Sequence, residues 1–184
     1  MKKWMKAGIV AALAGMALMY GGCGSDQAAS SSKSSGKKQV AVVQIMQHGS
    51  LDAANKGMID GLKEKGFGPD KVEVDQQNAQ GDQSNLKSIA SRFKSNKPDI
   101  IFGISTPATQ AVANEIKDIP IVGCAITDFE TAKLVKSNAK PETNVTGVND
   151  RGPVEKQVDM GKVFMPNAKT MGLLYCSSEV NSEI

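Results

Sequence analysis

From residue 39 onward, short β-branched apolar runs alternate with segments whose apolar residues recur every three or four positions, and few folds accept that alternation. The run VAVVQIM over residues 40–46 is apolar at every position but Gln44, as a strand covered on both faces requires. Leu51, Ala54, Met58 and Leu62 then place one apolar stripe along a helix that Gly66 closes. The cycle repeats. Residues 72–77 read as a second strand, and Leu86, Ile89, Ala90 and Phe93 stripe a helix that stops before Pro98. Residues 100–104 form a third strand, Ala108, Ala111, Val112 and Ile116 a third helix, residues 119–126 a fourth strand and residues 144–148 a fifth. Strands separated by helices of this length pair in parallel, so residues 39–150 are expected to fold as a doubly wound α/β sheet.

Beyond Asp150 the spacing predicts a helix from Pro153 to Phe164, with Val154, Val158, Gly161 and Met165 on one side, ended by Pro166. Residues 171–176 read as another buried strand. One helix and one strand cannot enclose a core. Residues 151–184 are therefore expected to open a second α/β lobe whose remainder is absent.

The first 22 residues have a different character. Lys2, Lys3 and Lys6 form a basic head, residues 7–20 a mostly apolar run, and Gly21 and Gly22 a small-residue cleavage site before Cys23. The run is shorter than the roughly 20 apolar residues of a membrane span. The pattern resembles a bacterial lipobox, with Tyr20 where a leucine is usual, and implies a signal peptide over residues 1–22 with lipid attachment at Cys23. Residues 23–38 continue as a tether with no large apolar residue, and its 15 residues after Cys23 have a coil reach of roughly 20 Å. The expected location is extracytoplasmic, lipid-anchored to the bacterial cell membrane.

Charge follows the same division. Of the 22 Lys and Arg, three lie in the signal, which leaves 19 against 19 Asp and Glu. Without a basic stripe, no nucleic-acid partner is expected. One His in 184 residues rules out a multi-histidine metal centre, and no metal or cofactor is expected. Cys124 and Cys176 end apolar runs and read as small buried hydrophobes.

Ligands of open parallel sheets bind beyond the carboxyl ends of the strands. Here those ends carry Gln47 to Ser50, Asn78 to Gln80, Ser105 to Pro107, Thr127 with Asp128, and Asn149 to Arg151, mostly small hydroxyl and amide residues. Loops of this kind are polar in any such fold, so the pattern alone does not make a site. The sharpest signal is GISTPATQ over residues 103–110, where Thr106 is expected to cap a helix with Pro107 at its first position. The free amides of that turn and the hydroxyls of Ser105 and Thr106 suit a ligand carboxylate. Asp128 could accept from a ligand ammonium, as could Glu179 across the cleft, and His48 either contacts ligand or caps its loop.

The stretches VAVVQIMQHGSLDAANKGMIDGL, NAQGDQSNL, GISTPATQA, NVTGVND and YCSSEVNS resemble the solute-binding lipoproteins of ABC importers, in the branch associated with tryptophan and tyrosine uptake. The resemblance runs from about Val40 to the end of the sequence. It implies a periplasmic-binding-protein fold of the first type, two α/β lobes closing on a ligand. It places Ser105 and Thr106 at the ligand carboxylate, Thr127 and Asp128 near the amine, and His48 and Asn78 along the first lobe. Ser178 and Glu179 approach from the second, and Asn149 joins them by its place at the fifth strand's end. The implied ligand is a small molecule of amino-acid type, and the implied partners are an ABC permease and its ATPase. A lipoprotein that presents its closed state to a membrane receptor would share these features. No catalysis is expected, since the single His pairs with no nucleophile in a recognisable triad.

Overall fold

The computed structural model describes residues 36–183, so the expected signal, Cys23 and most of the expected tether lie outside the described residues. Among the described residues five strands form one sheet: β1 (Lys38–Gln44), β2 (Val72–Asn78), β3 (Ile100–Ile104), β4 (Ile121–Ile126) and β5 (Val145–Asn149). Every pairing is parallel and the spatial order is β2-β1-β3-β4-β5, as expected of a doubly wound α/β fold. Helices α1 (Gly49–Glu64), α2 (Gln83–Asn96) and α3 (Thr106–Glu115) join β1 to β4 in turn.

Alternation along β1 splits the core in two. Val40 and Val42 face one side with Val72 and Ile104, against the stripe of Leu51, Ala54, Met58 and Leu62 on α1. Ala41, Val43 and Ile45 face the other, where Leu86, Ala90 and Phe93 of α2 and Val112 of α3 pack. The α2–α3 side is the better filled. Phe129, Ala132, Leu134 and Val135, from the long connection between β4 and β5, add to it. Asn144 pins that connection, donating to the carbonyls of Ile116 at 3.1 Å and Ile119 at 2.6 Å.

Two glycines set how closely the layers approach. A Cβ on Gly103 would lie 2.4 Å from Thr109 Oγ1 and 2.8 Å from Thr109 Cα, so its absence lets the first turn of α3 rest on β3. Gly147 faces Gly123 across the β4–β5 pairing, and a Cβ there would lie 2.0 Å from the Gly123 carbonyl oxygen.

The chain beyond β5 departs from expectation. Helix α4 (Val154–Phe164) forms with Pro153 before it and no side-chain cap, but Val163 and Phe164 are each 77% exposed. Residues 171–176, expected as a buried strand, have no strand pairing, and Leu173 and Leu174 face solvent. A buried strand needs neighbours on both edges and cover on both faces, and the described residues supply neither there. Cys176 is correspondingly exposed and Cys124 only half-buried, and both are free thiols, against the expectation of two buried ones.

Candidate functional site

The strand order fixes where a cleft must open. After β1 the chain turns to β2 on one side and then returns to β3 on the other, so the loops leaving β1 and β3 diverge. Gln44 is in register with Asn78 on one side and Ile104 on the other, and Ile104 with Cys124, which keeps the carboxyl ends level. His48 follows the first of these ends and Ser105 the third.

The β1 loop is held from below. Gln44, 3% exposed, donates its amide to the Met46 carbonyl and to Asp52 Oδ1, both at 2.7 Å, and accepts from Asn55 Nδ2 at 3.2 Å. A glutamine inside a strand gives no signal by composition, so this clamp is not legible in the sequence. His48 sits at the N-cap of α1, where Nδ1 accepts from the Ser50 amide at 3.4 Å. The capping alternative for His48 is thus realised, and its ring stays exposed. Asn78 ends β2 and accepts from the Gln80 amide at 2.8 Å, an Asx turn, while Gln80 takes a left-handed φ of 57°.

The third loop corrects one expectation. Ser105, not Thr106, is the N-cap of α3; its Oγ accepts from the Ala108 amide at 3.4 Å, and Pro107 occupies the second helical position. Ser105 has φ 93° and ψ 157°, a region that residues with a Cβ rarely adopt. Its backbone is fastened on both sides. The amide donates to the Cys124 carbonyl at 2.9 Å, and the carbonyl accepts from the Thr109 amide at 3.1 Å and Thr109 Oγ1 at 2.9 Å. Thr106 is 2% exposed, so its side chain is not offered to a cleft, and Ser105 is 8% exposed. Of the first four helical positions Pro107 has no amide hydrogen, while Ala108 and Thr109 already donate to Ser105. The anion site expected at this terminus is reduced to the amide of Thr106.

The fourth and fifth ends are more open. The β4–β5 register shifts between Gly123 and Ile126, with Ala125 at φ 56°, and this bulge re-aims Thr127. Asp128 Oδ1 accepts from the Thr131 amide at 2.7 Å, which holds the carboxyl below the usual aspartate range, with a smaller contribution from Arg151. Its other oxygen, Oδ2, lies 3.8 Å from Arg151 Nη1. Thr127, Asp150, Arg151 and Pro153 line a cavity of about 620 Å³ between the end of β4 and the segment leading to α4. Asn149, opposite Ile126, is exposed. Ser178 and Glu179 are elsewhere: they share a 250 Å³ pocket with Gln83, Pro107, Gln110 and Asn114 on the flank of α2 and α3.

The structure therefore gathers His48, Asn78, Ser105, Thr127, Asp128 and Asn149 along one edge, turns Thr106 inward, and leaves Ser178 and Glu179 beside the helices. Among the described residues no group of acidic, Cys and His side chains could hold a metal ion.

A parallel sheet with a polar carboxyl edge, strained backbone at two strand ends and a chain that leaves through a cavity there has the arrangement that open α/β sheets use to bind small ligands. Residues 39–184 match the ABC transporter substrate binding protein family, and the chain belongs to it. It is 43% identical over 183 residues to a protein of Clostridioides difficile (strain R20291) called "Tyrosine-binding protein", covering 96% of this chain and 53% of that one. An ABC domain from Streptococcus pneumonia, solved in complex with L-Trp, has TM-score 0.78 and 44% identity over 80% of this chain and 50% of that chain. The ligand-free, open structure of a substrate binding protein with adhesive properties from Clostridium difficile has TM-score 0.66 and 45% identity, over 79% of this chain and 50% of that one. The chain spans about half the length of the relatives it matches.

Proposed function

We propose that the protein is the extracytoplasmic solute-binding component of an ABC importer, which captures an α-amino acid between this lobe and a second one and delivers it to a membrane permease. The observation that carries this is the family match across residues 39–184 of a chain whose strand order opens a cleft between His48 and Ser105. The L-Trp complex and the tyrosine-binding name belong to relatives above 40% identity, and they favour an amino acid with an aromatic side chain. Asp128 remains the candidate for the ammonium, with Thr127 beside it. His48, Asn78 and Asn149 line the edge along which the rest of the ligand would lie. Ser178 and Glu179, with residues 151–184, form the start of the second lobe in this reading.

Two lobes bring selectivity with them. Only contacts that differ between open and closed states shift that equilibrium, so the permease is offered the closed form when both lobes touch ligand. Cys23 moors the protein beside the permease through its lipid, and residues 24–38 leave the body free to turn. Titration calorimetry of the full-length protein against the common amino acids tests the binding role, with saturable one-to-one binding of tryptophan, tyrosine or both as the expected result. Binding of a sugar or metal complex with no amino acid bound overturns it. Metabolic labelling with a fatty acid, lost in Cys23→Ala, tests the anchor separately.

A further inference from the structure

Every amino-acid ligand brings a carboxylate that needs donors, and the α3 terminus expected to supply them keeps only the Thr106 amide, since Ala108 and Thr109 donate to Ser105 and Pro107 has no amide hydrogen. The cavity beyond β4 and β5 contains an alternative. Arg151 lies on the segment that leaves β5 for α4, 56% exposed, with Nη1 3.8 Å from Asp128 Oδ2. That separation is too long for a hydrogen bond, so neither group has used its capacity on the other. Asp128 accepts from the Thr131 amide through Oδ1 at 2.7 Å, with weaker contributions from the Thr131 hydroxyl and the Glu130 amide. Arg151 thus lines a 620 Å³ cavity together with Thr127, and Asp128, next in sequence to Thr127, lies 3.8 Å from its guanidinium.

Building on the amino-acid reading above, we infer that Arg151 is the carboxylate-binding residue, and that the zwitterionic head group enters between Arg151 and Asp128 and replaces their loose ion pair. The fit is chemical. A guanidinium presents two parallel N–H groups to a carboxylate, and the freed Asp128 Oδ2 accepts from the ammonium. Each protein charge exchanges a distant partner for a hydrogen-bonded one, and the ligand is neutral overall, so the site's charge balance is unchanged. Lys156, also on the cavity wall, is a point charge without the planar fork, and Glu155 beside it disfavours a second anion there.

The position of Arg151 gives this a mechanical consequence. Asp128 belongs to the sheet edge, through the bulge of β4, whereas Arg151 belongs to the segment along which the chain departs. A head group held by both ties that segment to the edge when ligand is bound. The structure assigns Arg151 a specificity role as well, because a ligand without a carboxylate loses this contact alone.

The test is calorimetry on the full-length protein with L-tryptophan, L-tyrosine and the α-amide of each. Arg151→Gln is expected to weaken binding of the two amino acids by about thirtyfold and of their amides by less than threefold, removing the preference for a free carboxylate. Arg151→Lys should fall between. Asp128→Asn, which keeps an acceptor for the Thr131 amide, should weaken amino acid and amide alike, since both carry the ammonium. Circular dichroism confirms that each variant is folded; Arg151 is exposed, and its replacement leaves no buried group unpaired. If Arg151→Gln binds the amino acids and discriminates against the amides as the wild type does, Arg151 is not the carboxylate residue although the amino-acid reading stands. If the wild type binds neither amino acid, that reading fails and this assignment with it.

Discussion

Ser105 offers a direct test of how the sheet edge is built, because its strain and its capping bond have opposite effects on stability. At φ 93° and ψ 157° a residue with a Cβ costs about 1–3 kcal/mol relative to glycine. Replacing Ser105 by glycine removes that cost, loses a few tenths of a kcal/mol of capping, and adds about 0.5–1 kcal/mol of chain entropy to the unfolded state. The hydroxyl bond is long, at 3.4 Å to the Ala108 amide, so little is forfeited there. Ser105→Gly is thus expected to stabilise by about 1 kcal/mol. Ser105→Ala keeps the strain and loses the cap, and is expected to destabilise by about 1 kcal/mol. The two variants should differ by about 2 kcal/mol, or about 1 M in urea midpoint at a slope near 2 kcal/mol/M. Equilibrium urea unfolding of the full-length protein, followed by circular dichroism, measures this. Equal midpoints for the glycine and alanine variants would mean that the three backbone hydrogen bonds around Ser105 hold a conformation that carries no strain, and the argument would fail.

Gly103→Ala is expected to destabilise by about 3 kcal/mol, since its Cβ would meet backbone and side chain of Thr109 and lift α3 from β3; the same urea experiment reads it. Gln44→Leu leaves Asp52 and the Met46 carbonyl without their buried donor and should cost about 2–3 kcal/mol, with faster hydrogen exchange confined to residues 46–52. Stability should also fall in acid. Bonds from Lys56 to Asp60, Ser84 to Asp82, Lys38 to Asp99, the Thr131 amide to Asp128 and Lys136 to Glu142 each lower a carboxyl below its ordinary value of 3.8 or 4.5. A lowered folded-state value stabilises fully above the unfolded one and is lost as pH falls through it, so melting temperature should be level from pH 7 to about 5 and drop below about 4. A melting temperature that rises between pH 5 and 3 would contradict these directions.

The central strands β1, β3 and β4 were readable because strands covered on both faces are apolar at nearly every position, a composition visible without structure, whereas β2 and β5 show mainly through their place in the alternation. Residues 100–104 coincide with β3, and β2 differs from expectation by one residue at its end. What could not be read depends on backbone geometry or on tertiary cover. The cap of α3 falls at Ser105 because its backbone turns through a positive φ, which no side-chain pattern announces; Thr106 has the same capping chemistry and stands next to it. Phe129, Leu134 and Val135 fill the core from a connection with neither period, so periodicity missed them. Residues 171–176 show the reverse error: their apolar run has the composition of a buried strand, and composition cannot say whether a neighbour is present. Arg151 carries no motif and follows a strand like any loop residue, and only its distance from Asp128 distinguishes it.

Where the hydrogen bonds go separates the two sides of the candidate cleft. On the β1–β3 side the polar groups are engaged in structure: Gln44 with Met46 and Asp52, His48 with Ser50, Asn78 with Gln80, and Ser105 with Cys124, Ala108 and Thr109. These bonds make a rigid wall whose shape is set before ligand arrives, which lowers the ordering cost of binding. On the β4–β5 side Arg151 and Asp128 lie 3.8 Å apart without a hydrogen bond between them, and Arg151 belongs to the segment along which the chain leaves the sheet. A ligand that ties those two groups gains contacts depending on the position of that segment, whereas contacts to the rigid wall are the same in every position. Only the first kind can shift a conformational equilibrium. It follows that substitutions at His48 or Asn78 should change affinity with little effect on closure, while substitutions at Arg151 should change both, a difference that small-angle scattering of the liganded full-length protein resolves.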